Sequence, residues 1–190
     1  MSHYSERITI ITGARQIGKT PFCQQIIQAA RNNTWDIAGL LSPGVFANNE
    51  KLIIQVSDLR AEETRILARR RDLVKDDTQA ILSTRKWIFD SIQMQWGNSI
   101  LKNATPCDLL VIDELGPIEL EEGRGWQAGI EALDSGAYQL ALLVLRPELL
   151  PHGRQRWPQA QVIEINSKED IKSLSLAFLK KHNLVSNIKT

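Results

Sequence analysis

The sequence predicts an α/β fold with a mostly parallel central sheet covered by helices on both faces. Short, fully apolar strands such as Ile8-Thr9-Ile10-Ile11 and Leu109-Leu110-Val111-Ile112 alternate with amphipathic helical stretches, as buried parallel strands and their crossovers require. These strands also end abruptly, in a glycine turn at Thr12-Gly13, in charge at Asp113-Glu114 and at Arg146-Pro147. In sheets of this kind ligands bind beyond the carboxyl ends of the strands, so those three ends are where function is expected.

Taken in order, Ile8 to Ile11 is a β-branched run that delivers the chain into glycine. From Pro21 to Arg31, Phe22, Ile26, Ile27 and Ala30 follow helical spacing, with Pro21 in the first turn, where proline is tolerated. Residues Ile37 to Phe46, Leu52 to Val56 and Thr64 to Ala68 read as strands separated by turn signals at Asn48-Asn49 and Ala61-Glu62-Glu63. Together they form a β-rich excursion over about 37–68. Arg69-Arg70-Arg71, Asp72, Lys75, Asp76 and Asp77 read as a mixed-charge connector. Phe89, Ile92, Trp96 and Ile100 mark one face of a helix closed by Thr105-Pro106. Leu109 to Ile112 is the next strand, Trp126, Ile130 and Leu133 a helical stripe stopped at Ser135-Gly136, and Gln139 to Leu145 a third apolar strand. Gln161 to Ile165 is a final short strand. Ser167 with Asp170 resembles a capping box opening a helix that buries Ile171, Leu174 and Phe178.

The bulk numbers agree with one domain over residues 1–190. The chain has 190 residues, 43% apolar and 24% charged, enough for a real core without disulfides or structural metal. Cys23 and Cys107 sit far apart in apolar stretches and read as buried, reduced thiols. No apolar run approaches membrane-spanning length and the N-terminus lacks a signal pattern, so the expected compartment is cytoplasmic, with no membrane partner. The formal charge of +1 supplies no long-range field for nucleic acid, so none is expected as a partner. A polyanion must be held by a local site.

Gly13-Ala14-Arg15-Gln16-Ile17-Gly18-Lys19-Thr20 matches G-x-x-x-x-G-K-[ST] in full, between a predicted strand and a predicted helix. In such a loop the amides point inward around a phosphate, and the helix N-terminus adds positive potential. Lys19 reaches the β- and γ-phosphates and the Thr20 hydroxyl ligates Mg²⁺. Pro21 has no N–H where such loops commonly donate to the α-phosphate, a loss of ~1–3 kcal/mol that points to micromolar or weaker binding. Arg15 points into solvent or towards the γ-phosphate, and Gln16 is strained if its position needs a positive φ. Asp108 to Glu114 has the form of a Walker B strand: Asp113 would hold the Mg²⁺ shell and Glu114 would orient or deprotonate a water. Glu119 either assists Glu114 through a water or caps the next element. Arg146 faces the γ-phosphate if its strand inserts beside the phosphate-loop strand, and otherwise pairs with a surface carboxylate. His3, His152 on a Pro-flanked loop and His182 make no persuasive catalyst.

With Gly39-Leu40-Leu41-Ser42-Pro43 and above all Val111-Ile112-Asp113-Glu114-Leu115-Gly116-Pro117-Ile118-Glu119-Leu120, the chain resembles the small P-loop nucleoside-triphosphatases, the group of the thermophile and human cancer-related NTPases. The resemblance runs from about Ile8 to Leu145. It implies a RecA-like domain with slow, Mg²⁺-dependent hydrolysis of ATP, GTP and other triphosphates to diphosphates, with poor base discrimination. Gln16 stands where the family often has glycine, and Pro21 where it often has Thr or Ser.

Three functions are compatible with these residues. Hydrolysis comes first, because Glu114 directly follows the Walker B aspartate and needs no separate acceptor. A small-molecule or nucleoside kinase would share Lys19 and Thr20 and draw a lid from Arg69 to Arg71, Arg85, Arg154 and Arg156. A nucleotide-dependent switch would bind a protein partner, of unknown identity, through the excursion Leu40 to Ala68. An Asn-Lys-x-Asp guanine-reading motif and a Leu-Ser-Gly-Gly signature are both absent from the sequence.

Overall fold

The computed structural model describes residues 6–74 and 82–185. The first strand, β1 (Ile8–Thr12), feeds a glycine loop and helix α1 (Lys19–Asn32), after which the chain returns through β2 (Ile37–Leu41). An antiparallel wing follows: β3 (Gly44–Ala47), β4 (Glu50–Asp58), β5 (Glu63–Arg70), β6 (Leu82–Ser83) and β7 (Trp87–Phe89). The chain then alternates again through α2 (Ser91–Lys102), β8 (Cys107–Asp113), α3 (Pro117–Leu120) and α4 (Gln127–Ser135). It ends with β9 (Tyr138–Val144), α5 (Leu150–Arg156), β10 (Gln161–Glu164) and α6 (Asp170–Lys181).

All strands join one sheet in the order β10-β1-β9-β8-β2-β4-β5-β7-β6, with β3 added to β4 beside the end of β2. From β10 to β2 every pairing is parallel, and from β2 outward every pairing is antiparallel. Successive side chains of the buried strands point to opposite faces. Ile11, Leu109, Val111, Leu140, Leu142 and Val144 pack with Phe22, Ile26 and Phe178 from α1 and α6. Ile10, Leu110, Ile112, Ala141 and Leu143 face the other way, against Leu101, Trp126, Leu133 and Trp157. A sheet so covered on both faces explains why its strands read as unbroken apolar runs. The predicted α/β class forms: β10 to β2 make the parallel, doubly covered centre, and the antiparallel excursion extends it into a mixed sheet. Cys23 and Cys107 are both buried free thiols.

Several boundaries differ from the sequence reading. Ile37 to Phe46 is two strands: Pro43 lacks an amide and breaks the ladder, leaving buried β2 in the parallel core and exposed β3 in the wing. The antiparallel excursion therefore begins at Gly44 rather than Ile37 and runs on to Phe89. Asn48 and Asn49 turn β3 into β4 with φ of 49° and 61°, the left-handed pair that a tight hairpin needs. Arg69 and Arg70 belong to β5 and Arg71–Leu73 is a short 3-10 turn. Lys75, Asp76 and Asp77 lie outside the described residues.

Phe89 ends β7, and α2 starts after Asp90, whose carboxylate accepts from the amides of Ile92 (2.9 Å) and Gln93 (3.1 Å). Ile92 consequently faces solvent, 62% exposed, while Gly97 and Leu101 take the buried side. His152 lies in a helix, α5, rather than a loop, because Pro151 occupies a first-turn position that needs no amide. The Ser167–Asp170 box forms as expected: the Ser167 amide donates to Asp170 (2.9 Å) and the Asp170 amide to the Ser167 hydroxyl (3.3 Å).

Candidate functional site

The carboxyl ends of β1, β9 and β8 are brought level by register. Ile11 pairs with Val144, and Val144 in turn with Asp113. This places the glycine loop after β1, Arg146 after β9 and the Asp113-Glu114 pair of β8 along one edge, with β9 inserted between the other two.

Loop conformation is set by its two glycines. Gly13 (φ 138°) lies so close to the β10–α6 connection that a Cβ would stand 2.4 Å from the Ile165 carbonyl. A Cβ on Gly18 (φ 120°) would stand 2.2 Å from Ile171 Cδ1. The loop is thus seated on the segment after β10. Gln16 takes φ 61°, the left-handed conformation considered from the sequence, at a cost of about 1 kcal/mol for a residue with a Cβ. Ala14, Arg15 and Gln16 are exposed and Ile17 half-buried; Arg15 therefore sits at the solvent side. Pro21 is the third residue of α1, where the helix itself needs no amide, and Phe22 makes the first helical bond to Gly18 (2.9 Å). Lys19 is buried, and its ammonium donates to the carbonyls of Gly13 (2.7 Å) and Ala14 (2.8 Å). Burial lowers its pKa, a trend that Glu114 and Asp113 oppose.

Thr20 and Asp113, 93 residues apart in sequence, meet at the centre of this edge. The Thr20 hydroxyl donates to Asp113 Oδ2 at 3.0 Å, and the Ser42 amide donates to the same oxygen at 3.1 Å. Asp113 is 3% exposed, and burial pushes its carboxyl up to about 6 against the pull of those two donors. Hydroxyl and carboxylate are the hard oxygen donors that Mg²⁺ takes, so Thr20 and Asp113 fit the predicted ion. Among the described residues no cluster of three or more His, Cys, Asp or Glu could hold a metal, so phosphate and water would have to complete the shell. Ser42 belongs to the Gly39 to Pro43 segment that follows the first helix. Its contribution is a backbone amide, for which residue type gives no signal.

Glu114 extends from the strand end at the rim and accepts a hydrogen bond from Arg146 Nε, both side chains about one-third exposed. Arg146 thus stands just past the end of the inserted strand, beside the phosphate-loop strand, and pairs with a carboxylate of the site. Glu119 resolves to its capping alternative: buried, it accepts from the amides of Gly116 (2.8 Å) and Trp126 (3.1 Å) and so fixes the turn that follows Glu114. The described histidines lie elsewhere, His152 against Glu121 and His182 against Phe178.

The pKa of Asp113 carries a prediction. Its folded value lies above the unfolded ~3.9, so the native state holds more protons between about pH 4 and 6, and this group's contribution to stability falls as pH rises through that window. Asp113→Asn should remove that slope and raise metal-free stability at pH 7 by about 2 kcal/mol. Urea midpoints of the two proteins from pH 4 to 7 check it; parallel curves would show that Asp113 ionises as freely as in water.

Known proteins share the family and the fold of this chain. A sequence profile of the family described as NTPase matches residues 8–188. The nucleoside-triphosphatase THEP1 of Saccharolobus solfataricus is 27% identical over 112 residues, 58% of this chain and 61% of that protein. The chain thus spans about three-fifths of that relative's length. THEP1 of Methanopyrus kandleri is 24% identical over 149 residues, 78% of this chain and 75% of its own. The solution structure of a human cancer-related nucleoside triphosphatase superposes with a TM-score of 0.70 at 18% identity, over 95% of this chain and all 100% of that one. The crystal structure of THEP1 from Aquifex aeolicus gives 0.65 at 15% identity, over 92% and 98%. At those identities the two structures show a shared fold.

Proposed function

We propose a function from the premise that this chain belongs to the NTPase family: it is a nucleoside-triphosphate phosphohydrolase, Mg²⁺-dependent, slow, and weakly selective for the base. The observation that carries the reading is the meeting of the Thr20 hydroxyl, the Asp113 carboxylate and the Ser42 amide, with Glu114 adjacent at the rim. The amides of Gly13 to Thr20 cradle the phosphates, and Lys19 exchanges the loop carbonyls of Gly13 and Ala14 for β- and γ-phosphate oxygens. Thr20 and Asp113 would hold Mg²⁺, which when bound neutralises charge developing on the phosphates. Glu114 orients a water and takes its proton as the water oxygen bonds to the γ-phosphorus. The bond from that phosphorus to the bridging oxygen breaks, and its electrons leave with the diphosphate. Arg146, paired with Glu114 Oε1 at the rim, is the cation placed to meet charge developing on a γ-phosphate, and Glu114 Oε2 is left for the water.

A kinase lid finds little support in the arginines available to it. Arg70 is tied to Glu50 and Asp72, Arg156 to Asp134, and Arg69 and Arg70 lie within a sheet strand. Phosphate release from a panel of nucleoside triphosphates with Mg²⁺ and no added acceptor tests the proposal. Wild type should release phosphate from several of them, and Lys19→Ala should lower release on the order of 100-fold or more. Release that requires one added metabolite would move the assignment to a kinase.

A further inference from the structure

Lys51 stands on β4 directly opposite Phe46 of β3, next to a register shift between Val45 and Phe46. Its side chain is half-buried. It runs back along the hairpin and lies across Gly44, where a Cβ would meet Lys51 Cε at 2.4 Å and Cδ at 3.0 Å. Gly44 is two residues from Ser42, whose amide holds Asp113, so the lysine's stem lies beside the segment that leads to the edge where Thr20 and Asp113 meet. Glu50 pairs with Arg70 and Arg65 with Glu63 in the wing, and Lys51 pairs with no carboxylate among the described residues. The Phe46 ring lies 5.7 Å from the ammonium, a weak hold beside a charge-assisted bond to a phosphate.

We propose that Lys51 is a second phosphate-binding lysine, delivered from the antiparallel wing, which contacts the terminal phosphate of a bound triphosphate and makes the site prefer triphosphate over diphosphate. Gly44 is the position that leaves its path open. The inference rests on the triphosphate reading of the site and adds to it a source of γ-phosphate recognition outside the loop.

Binding of a β,γ-imido ATP analogue and of ADP, each with Mg²⁺, measured by calorimetry on the full chain tests it. Lys51→Met keeps the aliphatic stem and removes the charge; it should weaken the analogue roughly tenfold or more and ADP less than about twofold. Lys51→Arg should retain the preference. Gly44→Val should lose it with the lysine still present, because the new side chain occupies the lysine's path. A Lys51→Met protein that weakens on both nucleotides equally, or on neither, overturns the proposal. If wild type releases phosphate but Lys51→Met keeps the wild-type preference, only the lysine's role falls. If wild type prefers the analogue through Lys51 yet releases no phosphate, only hydrolysis falls; a wild type that binds neither nucleotide removes both.

Discussion

Glu114→Gln is expected to lower steady phosphate release by about 10²–10⁴-fold, the usual contribution of a positioned general base, while nucleotide affinity changes by only a few-fold. The glutamine preserves size and can still accept from Arg146 Nε through its carbonyl oxygen, so the rim stays in place. What disappears is the ability to take a proton from water. In the proposed mechanism the phosphates are held elsewhere, by the Gly13 to Thr20 loop and by Lys19, which is why affinity and rate should separate. Phosphate release and equilibrium binding, run on the same preparation, give the two numbers. A Glu114→Gln protein that binds nucleotide and hydrolyses it at the wild-type rate would remove Glu114 from the chemistry. Equal losses in binding and rate would point instead to Glu114 as part of the phosphate cradle.

Thr20 and Asp113 were legible in the sequence because each belongs to a pattern whose spacing is dictated by chemistry, a loop that must wrap a phosphate and a buried strand that must end in a carboxylate. The central strands were legible for a related reason: burial on both faces leaves an apolar run bounded by polar ends. The same signal hid the boundary in Ile37 to Phe46, since β2 and β3 are both apolar in sequence although Ile37 to Leu41 are buried and Val45 and Phe46 exposed. Pro43 was the available clue. Backbone contributions left no trace, so the Ser42 amide on Asp113 could not be read. Glu119 and Arg146 each carried two meanings that only tertiary placement could separate. Glu119 turned inward to cap the Gly116 and Trp126 amides, while Arg146 met Glu114 because β9 inserts between β1 and β8.

Gly39→Ala is expected to destabilise the protein by at least about 4 kcal/mol, or to prevent folding, although it adds a single methyl group. Gly39 lies inside β2 with φ 105°, paired with Val111 of β8. A Cβ there would stand 2.0 Å from the Val111 carbonyl oxygen and 3.0 Å from the Val111 nitrogen, and neither is the movable end of a side chain. Relief requires β2 to part from β8 at the centre of the parallel sheet. That would also shift Ser42, three residues on, away from Asp113, so any folded fraction should bind Mg²⁺-nucleotide poorly. Gly123→Ala separates backbone strain from the clash. Gly123 also has a positive φ, 64°, but nothing lies within 4 Å of its would-be Cβ, so the expected loss is only about 1 kcal/mol. Urea unfolding of both variants reads the difference. Similar midpoints would mean that strain alone governs Gly39, whereas a gap of several kcal/mol assigns the effect to the close approach of β2 and β8, the contact that sets where Ser42, Thr20 and Asp113 meet.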